Sequence, residues 1–172
     1  MESSIRKEGY QVPQVELCTL ENMDLYKRTS AELFNNKKVV AFSMVGANNL
    51  VCGQEQLQDI KQTYQDFIDL GIDEVYCIFV NDVYTLNEWW NFNNMYGNAK
   101  FLSDGNTHFT RTMGYLVNST HKGYGERSWR YAMVVDNGII EKIFVEPGMC
   151  DHCEQDPYEV TKPSNIIEYL TN

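Results

Sequence analysis

From Lys37 to Met44 the chain is apolar at most positions. Val39, Val40, Ala41, Phe42 and Met44 leave little polar surface, the pattern of a strand buried on both faces. Beyond Gln54 the pattern changes period. Leu57, Ile60, Tyr64, Phe67 and Ile68 recur at helical spacing and form one apolar stripe that ends near Gly71. Residues 74–80 then repeat the buried-strand pattern. Strand, helix and strand in that order predict a right-handed crossover and a parallel pair.

Asn81 and Asp82 break the second strand and can cap a helix over residues 84–96, with Trp89 on its buried side. A short strand at 100–102 and a short helix at 106–113, stopped by Gly114, come next. Residues 130–135 and 139–145 are apolar runs flanking Asp136-Asn137-Gly138, and Asn-Gly between two such runs signals a two-residue hairpin. Residues 148–162 form a long polar loop, and Pro163 opens a last helix over 166–170. Cys18, beside Leu17 and Leu20, suits an early strand or its edge. This order predicts an α/β chain with a mixed central β-sheet and helices on both faces, of which the thioredoxin-like fold is the named instance. One domain over residues 1–172 accounts for the length.

Composition narrows the partners. The 24 acidic against 14 basic residues give a formal net charge of -10, and no basic cluster compensates locally, which argues against nucleic acid. No run of eighteen apolar residues occurs, and the first residues lack an apolar leader core, so no membrane and a cytoplasmic location are expected. The five cysteines are too few and too irregularly spaced for a secreted disulfide framework. The Asn118-Ser119-Thr120 sequon carries no weight without a leader.

Cys52 stands where the first strand gives way to the helix. A thiol at that join meets unpaired N–H groups and the positive end of a helix dipole, both of which favour thiolate. Asn48, Asn49 and the amides around Gly53 could donate to it, and Arg127 and Arg130 could supply the cation. The competing reading is a small core thiol with surface arginines. Cys150-Asp151-His152-Cys153 offers a second cysteine feature. Its spacing permits an intraloop disulfide or two ligands of a zinc site, which Cys18, His108, His121 or His152 would have to complete; no metal and no cofactor are expected from so incomplete a set. Cys77, inside an apolar strand, reads as inert packing. Among Trp89, Trp90, Phe92 and Tyr96, an exposed remainder would suit a homodimer face.

Larger blocks carry a family likeness. Residues 37–42, Gly46-Ala47 with Cys52, residues 71–77 followed by Val80-Asn81-Asp82, Glu88-Trp89 and residues 101–106 resemble the type-five (atypical two-cysteine) peroxiredoxins. So do residues 125–138, Val145-Glu146-Pro147 and residues 156–160. The resemblance implies a thioredoxin-fold thiol peroxidase reducing hydrogen peroxide or small alkyl hydroperoxides, with Cys52 as the peroxidatic thiol passing through a sulfenic acid. It implies Arg130 beside the thiolate and Arg127 as a second basic position. It also implies a resolving cysteine in the C-terminal region, where Cys150 and Cys153 are the candidates. A homodimer follows from it too, with recycling by a thiol reductant such as glutaredoxin, glutathione or thioredoxin.

The active-site loop departs from the family. Val45 and Leu50 replace two prolines, Asn49 replaces the threonine three residues before the cysteine, and Gln56 replaces a frequent histidine. Asn49 can donate and accept, but from two separate atoms. The altered loop leaves open a catalytically weakened regulatory, redox-sensing or partner-binding protein, and the Cys-x-x-Cys pair a disulfide oxidoreductase.

Overall fold

A computed structural model describes residues 5–172. Strands β1 (Glu16–Glu21) and β2 (Asp24–Thr29) form a hairpin that leads into α1 (Ser30–Phe34). β3 (Lys38–Ser43) is followed by a loop and a π-turn at Cys52–Gln56 that runs into α2 (Leu57–Asp69) and then β4 (Glu74–Phe79). α3 (Val83–Phe92), β5 (Lys100–Ser103) and α4 (His108–Met113) come next. A small two-stranded sheet, β6 (Leu116–Asn118) and β7 (Glu126–Ser128), precedes the hairpin of β8 (Tyr131–Asp136) and β9 (Ile139–Val145), and α5 (Pro163–Thr171) closes the chain.

The main sheet has the order β2-β1-β5-β4-β3-β8-β9. β3 pairs in parallel with β4, as the crossover requires, and antiparallel with β8, placing Phe42 opposite both Cys77 and Ala132. The sheet is therefore mixed, and its two faces carry separate cores. On one, Val40, Phe42 and Cys77 meet Leu57 and Ile60 of α2, Leu86 and Trp90 of α3, and Ile166 of α5. On the other, Val39, Ala41 and Tyr131 meet Leu33 and Phe34 of α1 and Phe109 of α4. Burying each large apolar side chain contributes roughly 1.5–3 kcal/mol, so both helical layers are held by their apolar stripes. This is the thioredoxin-like arrangement.

Local chemistry explains the boundaries. Asp82 caps α3, its Oδ1 accepting the amides of Tyr84 and Thr85 at 2.9 Å. The helix stops at Phe92, short of the expected residue 96, because Asn93 closes it and Asn94 turns left-handed. Asn137 and Gly138 both have positive φ, the conformation a two-residue hairpin turn demands. The early strand at Cys18 is paired on both sides. Cys77 is fully buried. Trp89 and Trp90 face inward while Phe92 and Tyr96 face solvent. No helix of the described residues is long and apolar enough to cross a membrane.

Candidate active site

The loop after β3 is fixed from two sides. The Ala47 amide donates to Asn81 Oδ1 at 3.0 Å, and the Asn81 carbonyl accepts the Ser103 hydroxyl at 2.5 Å, tying the loop to the ends of β4 and β5. Gly46 is closely flanked, since a Cβ there would lie 3.4 Å from both Asn81 Oδ1 and Arg127 Nε, side-chain atoms on either side of it. Arg127 on β7 thus lies against the active-site loop, half-buried, with no carboxylate in ion-pair reach among the described residues. Asn49 closes the loop as a cap. Its Oδ1 accepts the Cys52 amide at 3.0 Å, and its carbonyl accepts the Gly53 amide at 2.9 Å.

Cys52 opens the π-turn and is wholly buried. Arg130, in the junction between β7 and β8, is 1% exposed and spreads its guanidinium across four acceptors. Nη2 donates to Cys52 Sγ at 3.2 Å, and Nε to Gln56 Oε1 at 3.0 Å. Nη1 donates to Asp156 Oδ1 at 2.7 Å and to the Pro157 carbonyl at 3.1 Å. The Tyr158 ring lies 5.7 Å from the guanidinium carbon, and its hydroxyl donates to Asp59 on α2. A buried cation is thereby paired and hydrogen-bonded, as its desolvation requires.

Behind this lies a further support. Glu146, 1% exposed, accepts through one oxygen the amides of Glu159 and Thr161 and the Thr161 hydroxyl, all within 2.9 Å. Trp129 Nε1 donates to the Glu146 carbonyl at 2.7 Å. The loop bearing Asp156, Pro157 and Tyr158 is thus pinned just beyond its contact with Arg130.

The electrostatics differ from the expectation of a thiol shifted toward thiolate. Burial pushes the Cys52 thiol up from its ordinary value. The Arg130 charge and the Gly46 amide pull it down, while the negative charge of Asp156, paired with the same arginine, adds to the rise. In this closed arrangement desolvation outweighs the cation. The site holds the thiol shielded, with its stabilising donors already aimed.

The expected residues are brought together unequally. Arg130 meets the Cys52 thiol, Asn49 meets Cys52 by accepting its main-chain amide and not, as expected, by donating to the thiol, and Arg127 lies beside Gly46. Cys150 and Cys153 are joined in a disulfide, the first of the two arrangements their spacing permits. They line a small cavity of about 40 Å³ together with Val45, Asn49 and Asp156. Asp156, Tyr158 and Glu146 carry the site without having been given roles from the sequence, and Asn81, read there only as a strand breaker and helix cap, ties down the active-site loop. Asp156, Tyr158 and Glu146 lie within blocks of the family likeness, and a buried arginine demands a carboxylate, but nothing in the spacing says which.

Fold and site together define a thiol-based redox protein of thioredoxin-like architecture. Residues 7–157 match the family model Redoxin. Over 143 residues the chain is 42% identical to a peroxiredoxin of Rhizobium etli, covering 83% of this chain and 79% of that one. A crystal structure of a peroxiredoxin superposes with a TM-score of 0.92 at 34% identity, over 97% of this chain and 99% of that one. A reduced peroxiredoxin of Vibrio vulnificus, solved in complex with hydrogen peroxide, gives 0.87 at 27% identity, over 97% of both chains. The chain belongs to the peroxiredoxins and is an enzyme of the thiol peroxidase type.

Proposed function

We propose that Cys52 is the peroxidatic thiol and that Arg130 is its catalytic partner. The observation that carries this is the 3.2 Å contact from Arg130 Nη2 to Cys52 Sγ inside a buried guanidinium site. Nη2 has a second N–H with no acceptor among the described residues, so it can meet a peroxide oxygen beside the thiolate. The Cys52 thiolate attacks one peroxide oxygen, the O–O bond breaks, and the departing oxygen takes up a proton and leaves as water or alcohol. Cys52 is left as a sulfenic acid. Hydrogen peroxide and small alkyl hydroperoxides fit a thiol that is wholly covered at rest. Asn49 holds the Cys52 main chain, and Arg127, beside Gly46, adds positive charge near the loop.

The departures in the loop do not displace the enzyme reading, because Arg130 donates to Cys52, Gln56, Asp156 and Pro157 without the missing prolines and threonine. We place the chain with the type-five branch on the block at residues 125–138, which contains both arginines. Recycling by glutaredoxin, glutathione or thioredoxin, a cytoplasmic location and a homodimer complete the proposal. Exposed Tyr84, Phe92, Tyr96 and Leu50 supply apolar surface for the dimer.

The test is peroxide consumption by the fully reduced protein, with capture of the sulfenic acid by dimedone. Wild type should consume peroxide and carry the adduct on Cys52, and Cys52→Ser should do neither. An adduct confined to another cysteine overturns the assignment.

A further inference from the structure

Resting on the assignment of Cys52 as the peroxidatic thiol, we infer that Tyr158 is a positioning residue for the reaction: its hydroxyl fastens residues 156–158 to α2 and so fixes the span that Arg130 has to bridge.

Arg130 is held from two sides by separate parts of the chain. Cys52 and Gln56, which accept from Nη2 and Nε, belong to the π-turn that runs into α2. Asp156 and the Pro157 carbonyl, which accept from Nη1, belong to the long loop after β9. A guanidinium is planar and rigid, so it aligns with both sets only while helix and loop keep one spacing. The second N–H of Nη2, offered to the peroxide oxygen, takes its direction from that plane. A shift of about 1 Å in a positioned group can cost on the order of a hundredfold in rate.

The spacing has its own fastener. Glu146 pins the loop at Glu159 and Thr161, but to the end of β9 and not to α2. Among the described residues, the bond from the Tyr158 hydroxyl to Asp59 Oδ2, 2.5 Å long, is the only hydrogen bond that joins α2 to residues 148–162. Asp59 lies about one helical turn beyond Gln56, and Tyr158 follows Pro157 directly, so this link runs alongside the Arg130 bridge. The contacts close a ring that passes from Gln56 through Arg130 to Pro157 and Tyr158, across to Asp59, and back along the helix.

Tyrosine has the chemistry for this role. It is 6% exposed, and burial, together with the Asp59 contact, pushes its hydroxyl pKa up, so it remains a donor at neutral pH. Its ring lies 5.7 Å from the Arg130 guanidinium carbon, so the same side chain packs against the cation it positions. The Asp59 carboxylate accepts from no other donor among the described residues. Phenylalanine at position 158 would keep the ring and lose the fastener alone.

The test compares the second-order rate of Cys52 oxidation by hydrogen peroxide in fully reduced wild type, Tyr158→Phe, Asp59→Ala, Asp59→Asn and the double variant Tyr158→Phe with Asp59→Ala. Denaturant melts establish that each is folded, and NMR hydrogen exchange of the Arg130 Nε–H reads the guanidinium itself. Tyr158→Phe and Asp59→Ala should each slow oxidation about tenfold, and the double variant should be no slower than either. Asp59→Asn keeps an acceptor oxygen and should stay within about threefold of wild type. In the slow variants the Arg130 Nε–H should exchange faster and the pH profile of oxidation should move in the alkaline direction, because a looser cation lowers the Cys52 pKa less. Should Tyr158→Phe fail to fold, Asp59→Ala carries the same comparison from the helix side. Oxidation of Cys52 in both single variants at the wild-type rate or faster, additive losses in the double variant, or slow variants with unchanged Arg130 exchange and pH profile would overturn the role of Tyr158 while leaving Cys52 peroxidatic. A wild-type Cys52 that peroxide does not oxidise overturns the peroxidatic assignment itself, and the role of Tyr158 with it.

Discussion

Asn49 Oδ1 accepts the main-chain N–H of Cys52 at 3.0 Å, so the residue three positions before the thiol holds its backbone. The acceptor satisfies an amide that would otherwise be unpaired at the start of the helical segment. Asn49→Ala should cost about 1 kcal/mol of stability and slow peroxide consumption by loosening Cys52. Asn49→Asp keeps the cap but sets a negative charge beside the thiol, which raises its pKa. Its stability should match wild type while its reaction at neutral pH slows, and stopped-flow peroxide kinetics with denaturant melts separates the two effects.

Asp156 offers a pH prediction. Its charge adds to the upward shift of the Cys52 thiol, and Asp156→Asn removes that charge while leaving an oxygen for Arg130 Nη1. The Cys52 thiol should then lose its proton at lower pH. Ultraviolet thiolate absorbance and the pH profile of peroxide consumption should both move in the acid direction relative to wild type.

How much of this was legible in the sequence follows from where the information lies. The β3, α2 and β4 succession and the Asn137-Gly138 hairpin were readable because period and turn chemistry are local. The β1–β2 hairpin was not, because its turn at Asn22 and Met23 has φ of 51° and 68° without any glycine to announce it. Cys52 and Arg130 were named from position and family likeness. Their partner Asp156, 26 residues beyond Arg130, enters through a long loop whose path only the Glu146 anchor explains. The burial that raises the Cys52 thiol was likewise beyond a local reading, since helix start and nearby cation both point the other way.

Glu146 should be a stability determinant. Glu146→Ala removes three hydrogen bonds from one buried oxygen and should cost about 2–4 kcal/mol, read as a lowered denaturant midpoint. Since the released segment includes the neighbours of Pro157, peroxide consumption should fall in the same variant under conditions where it remains folded.

Cys77 should be silent in catalysis and visible in the pH dependence of stability. It is fully buried, and desolvation raises its thiol pKa in the folded protein. A raised folded-state pKa means the unfolded chain loses the proton first. The stabilisation is complete below the ordinary thiol value of about 8.5 and is lost as pH rises toward the folded value. Cys77→Ala should consume peroxide like wild type and show a shallower loss of thermal stability in that alkaline range.

Arg130 is the residue on which the account turns. Arg130→Lys keeps a charge but cannot reach Cys52, Gln56, Asp156 and Pro157 together. The most direct measurement is the second-order rate of Cys52 oxidation by hydrogen peroxide in the fully reduced wild type and in Arg130→Lys, followed by dimedone labelling and mass spectrometry. Wild type should react far faster than free cysteine, and Arg130→Lys should lose about a hundredfold or more. A folded wild-type protein no faster than free cysteine, or an Arg130→Lys variant equal to it, would contradict the central claim.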